Sequence, residues 1–578
     1  MTESHAVEKP SAAAKPRAPS LNWAPGLLSP HLPGHGLLDG RLDWPRLLHG
    51  FLIAVCCLWI VGYFFPPINH DTAVLLYIAK VWMGGGKLYV DAIDMNTPLV
   101  FVLHLLPEAL AKLTGLQGAT MLVACLGVGI AASFIACRRV LSGSLDPAHA
   151  TSDALLPLLL LFLLIVYPNN TFGQREHIML VLAMPYLLIA SGRAQGETLS
   201  FRLRLFSGLA AGLGFAIKPY FIAIPALVEL YVLSRTVGRQ GKAGWRHALS
   251  DPAPWAMLGI GVAHALFAVF VTPEYFSIAL PIASEFYSEV SSWSWTDLAL
   301  NQHVGPPTFA LPLLGIPAWF VLRSDLARVI WLAGIGGLFS AYAQGKGWPY
   351  QVMPAQVFTM LLAGVIIAHV MDHQIWPKRA PGSSPEADLG RNAKSAPRLF
   401  AAALMLLVFY QEGLHARPFF KQQEYAASEV PKLLHILKQE AYNGRVLVLS
   451  PGIYPHFPLL NYANMRMTMR FESMWVLQGA YAQCDEFAPL YNPPEAMSRA
   501  EAFVFRSVAE DFYKKKPALL IVDKVAGIPR CQEETFDYLD YFQRNPLFAK
   551  RFEDYDFFMD FDRYTIYKRR HHPPKPAG

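Results

Sequence analysis

Apolar runs long enough to cross a bilayer recur from Leu47 to about Tyr410, and they decide which solvent most of this chain meets. Hydrocarbon about 30 Å thick takes roughly 20 apolar residues per helix. Suitable stretches fall at 48–66, 117–136, 154–167, 176–190, 204–217, 219–234, 255–272, 306–322, 328–343, 351–371 and 398–412. A weaker twelfth at 98–114 contains Pro107, Glu108 and Lys112. Several stretches are short and imply tilt or bilayer thinning. The composition agrees: 53% hydrophobic and 16% charged residues give more apolar area than an ordinary water-soluble domain carries. The expected fold class is a polytopic α-helical membrane protein of about 11–12 transmembrane helices with a C-terminal α/β domain.

Basic residues set the orientation. Lys9, Lys15, Arg17, Arg41 and Arg46 precede the first span, and further clusters lie at Arg193 to Arg204, Arg235 to Arg246, Arg323 to Arg328 and Lys378 to Arg398. By the positive-inside rule these loops are cytoplasmic. Residues 1–45 are Ala/Pro-rich without an apolar core, so they are expected to be a disordered cytoplasmic tail and not a cleaved signal. The membrane domain spans 46–412, with an outer loop at 67–97, and all the basic loops fall inside only if 98–114 is re-entrant or partly inserted. Residues 413–578 then form a domain on the far side. "RVLVLS" (Arg445 to Ser450) and "ALLIVDK" (Ala518 to Lys524) read as strands there, each preceded by a helical pattern. Cys484 and Cys531 are the only cysteines of that domain, in a compartment expected to be oxidising, and are candidates to pair.

Ionisable residues at membrane depth are expensive and normally line a cavity or site. Asp71 follows Pro66-Pro67 at the end of the first span and opens a helical stretch with Val74, Leu75, Ile78, Val81 and Trp82 on one face. That stretch reads as a helix lying flat on the outer interface. Asp71 suits either a helix cap or a functional acid. Asp91 and Asp94 in the turn that follows suit turn formation as well as a site. Three polar stretches interrupt apolar runs on the same side: Arg175, Glu176 and His177; Lys218; and Lys346 with Trp348. Snorkelling accounts for such lysines equally well. Cations set against an isolated acid otherwise suggest an anion site beside a general base.

The turn Gly85-Gly86-Lys87-Leu88-Tyr89-Val90-Asp91 has the form Gly-Gly-x-x-Tyr-x-Asp and is followed by a Pro-led helix. With an acid just beyond the first span, many later spans and an outer soluble domain, it resembles the GT-C superfamily of integral membrane glycosyltransferases. Within that superfamily it is most similar to bacterial transferases grouped with the protein O-mannosyltransferases and the lipid A aminoarabinose transferase. The usual double proline after the turn is Asn96-Thr97-Pro98 here. The resemblance implies a polyprenyl-phosphate-sugar donor, a glycan, lipid or protein acceptor of the cell envelope, a bacterial inner-membrane location and an active site facing the periplasm. It makes Asp71 the general base of an inverting displacement, and Lys218, Arg175 and Lys346 the available cations for the donor phosphate. Asp91, Asp94, Glu176, His177 and Trp348 are supporting candidates. No metal-ligand spacing is present; a divalent metal held by Asp71 with Glu176 and His177 is left open, and no other cofactor is expected. No nucleic-acid partner is expected. A flippase or transporter of a lipid-linked anion would use the same cations but lacks the internal repeat that such proteins show. A lipid-linked oligosaccharide ligase or polymerase differs only in its donor, and a membrane anchor for the C-terminal domain leaves the charges unexplained.

Overall fold

The structure is a computed structural model that describes residues 44–144, 150–287, 292–375, 391–413, 418–441, 443–483, 489–531 and 534–570. Each of the eleven apolar stretches is helical. Where no water is present to pair with backbone N–H and C=O groups, a helix satisfies them within one segment. Among the described residues, eight helices are long and apolar enough to cross a membrane: Trp44–Phe64, Gly118–Val140, Arg175–Gln195, Pro219–Gln240, Pro252–Phe270, Asp325–Gln344, Pro349–Ile375 and Ser395–Ala427. Ala150–Val166 and Gly305–Val321 are shorter apolar helices, and Phe201–Ala216 adds 16 residues. This is a polytopic helical membrane protein.

The helix Arg175–Gln195 is the axis of the bundle: nearly all of it is buried, packed among Gly118–Ser144, Phe201–Ala216 and Ala223–Gln240. A helix surrounded by protein can carry charges that a lipid-facing helix cannot. Close approach of its neighbours depends on small residues. At Gly208 an added Cβ would stand 2.7 Å from the Ala253 carbonyl oxygen, so the helices Phe201–Ala216 and Pro252–Phe270 touch backbone to backbone.

Segment 98–114 is one uninterrupted 17-residue helix, Pro98–Thr114, closed by a left-handed Gly115. The apolar face of the Asp71 helix, His70–Met83, is covered by protein. Val74, Leu75, Leu76 and Ile78 are buried, because the helix is packed between Pro98–Thr114 and the C-terminal helix His456–Ala463.

The C-terminal region holds a five-stranded sheet in the order β2-β1-β3-β5-β4. Its strands are β1 (Arg445–Leu449), β2 (Arg466–Met467), β3 (Leu519–Asp523), β4 (Tyr555–Phe561) and β5 (Tyr564–Arg569). The two expected strands are β1 and β3, parallel neighbours that are almost wholly buried, as apolar runs covered on both faces should be. Their preceding helices are Val430–Glu440 and Arg499–Lys515. The sheet region grips the 67–97 segment through its backbone. The Ile68 N–H donates to Tyr462 Oη (2.8 Å), Asn461 Nδ2 to the Ala73 carbonyl (3.0 Å), the Met467 N–H to Tyr77 Oη (2.9 Å) and the Ile93 N–H to the Arg470 carbonyl (2.7 Å). Cys531 is disulfide-bonded, whereas Cys56, Cys57, Cys125 and Cys137 are free; Cys484 lies outside the described residues.

Candidate active site

Asp71 stands at the start of its helix without capping it. Asn69 is the cap: its side-chain oxygen accepts from the Asp71 N–H at 2.9 Å and the Thr72 N–H at 3.5 Å. The half-buried Asp71 carboxylate therefore turns to other partners. Its Oδ2 accepts from Gln174 Nε2 at 3.0 Å and lies 3.5 Å from an Arg175 guanidinium nitrogen, while Oδ1 is 3.4 Å from His70 Nε2.

Arg175 and Gln174 reach Asp71 because of a turn that only glycine makes easily. Gly173 sits at φ +83°, and its N–H donates to Nδ1 of His177 at 3.0 Å. The other ring nitrogen of His177 meets the Leu164 carbonyl at 2.8 Å. Both nitrogens are thus committed to backbone, and His177 fixes the turn from outside the cavity wall. Arg175 is buried, donates to Asn96 Oδ1 at 2.5 Å, and lies 5.3 Å from the centre of the Tyr350 ring. Lys218 approaches the same ring to 5.2 Å. It donates to Glu176 Oε1 at 2.6 Å and Gln344 Oε1 at 2.8 Å, a buried ion pair that leaves Glu176 Oε2 without a partner.

The two turn acids part company. Asp91 accepts from the Lys87 N–H at 2.7 Å and closes an exposed turn away from the cavity. Asp94 is buried on the cavity wall, where the backbone N–H and the side-chain amide of Asn96 both reach its Oδ1 at 2.6 Å. Burial pushes its carboxyl above the usual range, against the pull of those hydrogen bonds and of Arg175. Lys346 is a correction to the expected cation set. It is buried outside the cavity lining, donates to the Tyr287 carbonyl at 2.6 Å and Ser292 Oγ at 2.9 Å, and packs over the Tyr287 ring, so its charge is spent holding a chain segment. Trp348 is on the wall, its ring 5.8 Å from that of Tyr350.

Asp71, Asp94, Arg175, Lys218, Trp348, Tyr350 and Glu472 line one cavity of about 1240 Å³, whose wall also includes Pro306, Pro307, Ala310, Met353 and Met360. Sequence reasoning missed Gln174, Asn96 and Tyr350, which are neutral, and Glu472, which the C-terminal domain supplies. Glu472 Oε2 has no hydrogen-bond partner, and burial, with the charge of Asp94 second, pushes its carboxyl well above the usual range. Among the described residues no three His, Cys, Asp or Glu side chains are grouped to hold a metal ion, so Asp71 with Glu176 and His177 does not form such a set.

No protein-family model matches the sequence, and no curated protein matches it. The fold does have solved counterparts. ArnT from Cupriavidus metallidurans bound to undecaprenyl phosphate superposes with a TM-score of 0.54 at 15% identity, covering 91% of this chain and 97% of that one. The apo state of the same protein superposes with a TM-score of 0.53 at 14% identity, over the same shares, 91% and 97%. The chain therefore shares the fold of ArnT over nearly its whole length.

Proposed function

We propose that this chain is an inverting glycosyltransferase of the GT-C type, moving a sugar from a polyprenyl-phosphate donor to a cell-envelope acceptor on the periplasmic side of the bacterial inner membrane. The observation that carries the reading is the single cavity in which a carboxylate freed from capping faces buried cations, with apolar side chains such as Pro306, Pro307, Met353 and Met360 on the same wall. Such a cavity suits a ligand that is lipid at one end and phosphate at the other. The likeness of fold to ArnT, whose structure binds undecaprenyl phosphate, supports that class of donor.

In this mechanism the acceptor hydroxyl gives its proton to Asp71 as its oxygen attacks the anomeric carbon, and the bond from that carbon to the phosphate oxygen breaks on the opposite side. One in-line displacement inverts the anomeric centre. The electron pair leaves with the lipid phosphate, whose growing charge meets preorganised donors. Arg175, beside the Tyr350 ring, provides them. Lys218, near the same ring and with two of its three N–H donors used by Glu176 and Gln344, provides one more. Gln174 and Asn96 hold Asp71 and Arg175 in register, so the base and the phosphate site cannot drift apart.

The test is transfer by the purified full chain. Undecaprenyl-phosphate-linked sugars are incubated with envelope glycans from a strain lacking the protein, and release of undecaprenyl phosphate is followed together with a mass gain on the glycan. Coupled release and gain support the reading. A chain that binds none of these lipids and releases no undecaprenyl phosphate overturns it.

A further inference from the structure

The C-terminal domain meets the cavity along one edge of its sheet. β2, β1 and β3 run parallel, and the chain leaving β1 enters Pro451-Gly452-Ile453, while the chain leaving β2 reaches Glu472, Ser473 and Trp475. All six residues are on the cavity wall. Loops beyond the carboxyl ends of parallel strands are where α/β sheets gather their ligands. The domain thus turns its binding edge toward the membrane site.

A short parallel pairing fixes what that edge presents. Ile93 bridges Phe471, with the Ile93 N–H on the Arg470 carbonyl at 2.7 Å, and Arg470 is itself anchored by two 3.0 Å bonds to Asp511. The next residue on each chain is an acid, Asp94 and Glu472, on backbones about 5 Å apart, the usual spacing of paired strands. Asp94 is joined through Asn96 to Arg175. Glu472 lies on the wall of the same cavity as Asp94 and as Arg175, the guanidinium assigned to the donor phosphate. It is 8% exposed, and among the described residues its Oε2 has no hydrogen-bond partner. A buried carboxyl oxygen left this way is costly unless something else supplies a partner.

We propose that Glu472 hydrogen-bonds a hydroxyl of the sugar being transferred, so that the C-terminal domain reads the donor sugar. The inference rests on the donor-site reading of the cavity. The sugar is covalently bound to the phosphate, so it occupies the same cavity as the phosphate cations, where Glu472 is on the wall, and a ring hydroxyl, which both donates and accepts, supplies the partner that Oε2 lacks.

The experiment measures binding of lipids to the full chain in nanodiscs. The probes are undecaprenyl phosphate and undecaprenyl-phosphate-linked arabinose, glucose, galactose and mannose. Wild type should hold one sugar-bearing lipid at least tenfold more tightly than bare undecaprenyl phosphate. Glu472→Ala should lose about tenfold on that lipid and keep its affinity for the bare phosphate, and Glu472→Gln, which retains an acceptor oxygen, should keep part of the gain. Equal loss on both lipids would make Glu472 a latch between domains, and no loss would remove it from the site; either overturns the proposal. Should Glu472→Ala not fold, wild type is tested with deoxy forms of the preferred lipid: one ring position should cost about tenfold, and uniform tolerance overturns the proposal. Failure of wild type to bind even bare undecaprenyl phosphate has a different meaning, because it removes the donor reading itself and the inference with it.

Discussion

Replacing Asp71 with asparagine separates chemistry from structure, because the two readings of this acid put its carboxylate to different uses. Asn69, not Asp71, holds the first N–H groups of the helix, so Asp71→Asn leaves the cap in place. The new amide keeps an oxygen for the 3.0 Å bond from Gln174 and is nearly isosteric. The change removes one counter-charge from Arg175, which keeps its bond to Asn96, so stability should fall by less than the roughly 3–5 kcal/mol that fully stranding a buried charge costs. Asn69→Ala should cost about 1 kcal/mol through the lost cap. What Asp71→Asn removes is the proton acceptor. A positioned general base contributes roughly 100- to 10,000-fold, or about 3–5 kcal/mol of barrier. The assay is single-turnover transfer from a saturating undecaprenyl-phosphate-linked donor, with thermal unfolding of the same samples. A fall of at least 100-fold in folded protein is expected, on the scale that a lost general base sets. Near-normal turnover would refute the base assignment.

Lys218 and Glu176 form a buried pair with side chains 10% and 0% exposed, so Lys218→Met should destabilise by about 3–5 kcal/mol by stranding the acid. Adding Glu176→Gln should restore most of the stability but not donor affinity; restoration of both would leave Lys218 only a structural role. In denatured, non-reduced protein the peptide carrying Cys531 should resist a maleimide that labels the peptides of Cys56, Cys57, Cys125 and Cys137, and should label after reduction. His456 lies in the C-terminal domain, where burial, with Arg563 second, lowers its pKa from 6.5 to about 3. A depressed folded value gives stability that is present above the unfolded value and is lost as pH falls toward the folded one, so melting temperature should drop between about 6.5 and about 3. His456→Phe, which keeps a ring against Tyr564, should flatten that drop; an unchanged profile would assign it to other groups.

The spans were readable because one criterion, apolar length against bilayer thickness, dominates inside hydrocarbon. β1 and β3 were readable for a similar reason, since each is an apolar run covered on both faces. The two-residue β2 carries no such signal; its pairing with β1 makes it a strand. In the site, charge at membrane depth drew attention to Asp71, Arg175 and Lys218, and the same signal overreached at His177 and Lys346, whose polar atoms are taken up by chain segments beside the cavity. Glu472 was hidden because its position depends on the pairing of Ile93 with Phe471, residues far apart in the chain.

The departure at Asn96-Thr97 shows what a sequence pattern alone leaves out. Two prolines would make this approach to the helix Pro98–Thr114 stiff, but a proline has no N–H and no polar side chain. Asn96 uses both: its N–H and its amide hold Asp94, and its side-chain oxygen receives Arg175. Thr97 donates from Oγ1 to the carbonyl of Ile217 at 3.0 Å, the residue before Lys218. The turn is therefore bonded to Arg175 and to the neighbour of Lys218. Hydrogen bonds across the site supply here the rigidity that paired prolines would have supplied within the backbone, and they tie the turn to the buried cations of the cavity.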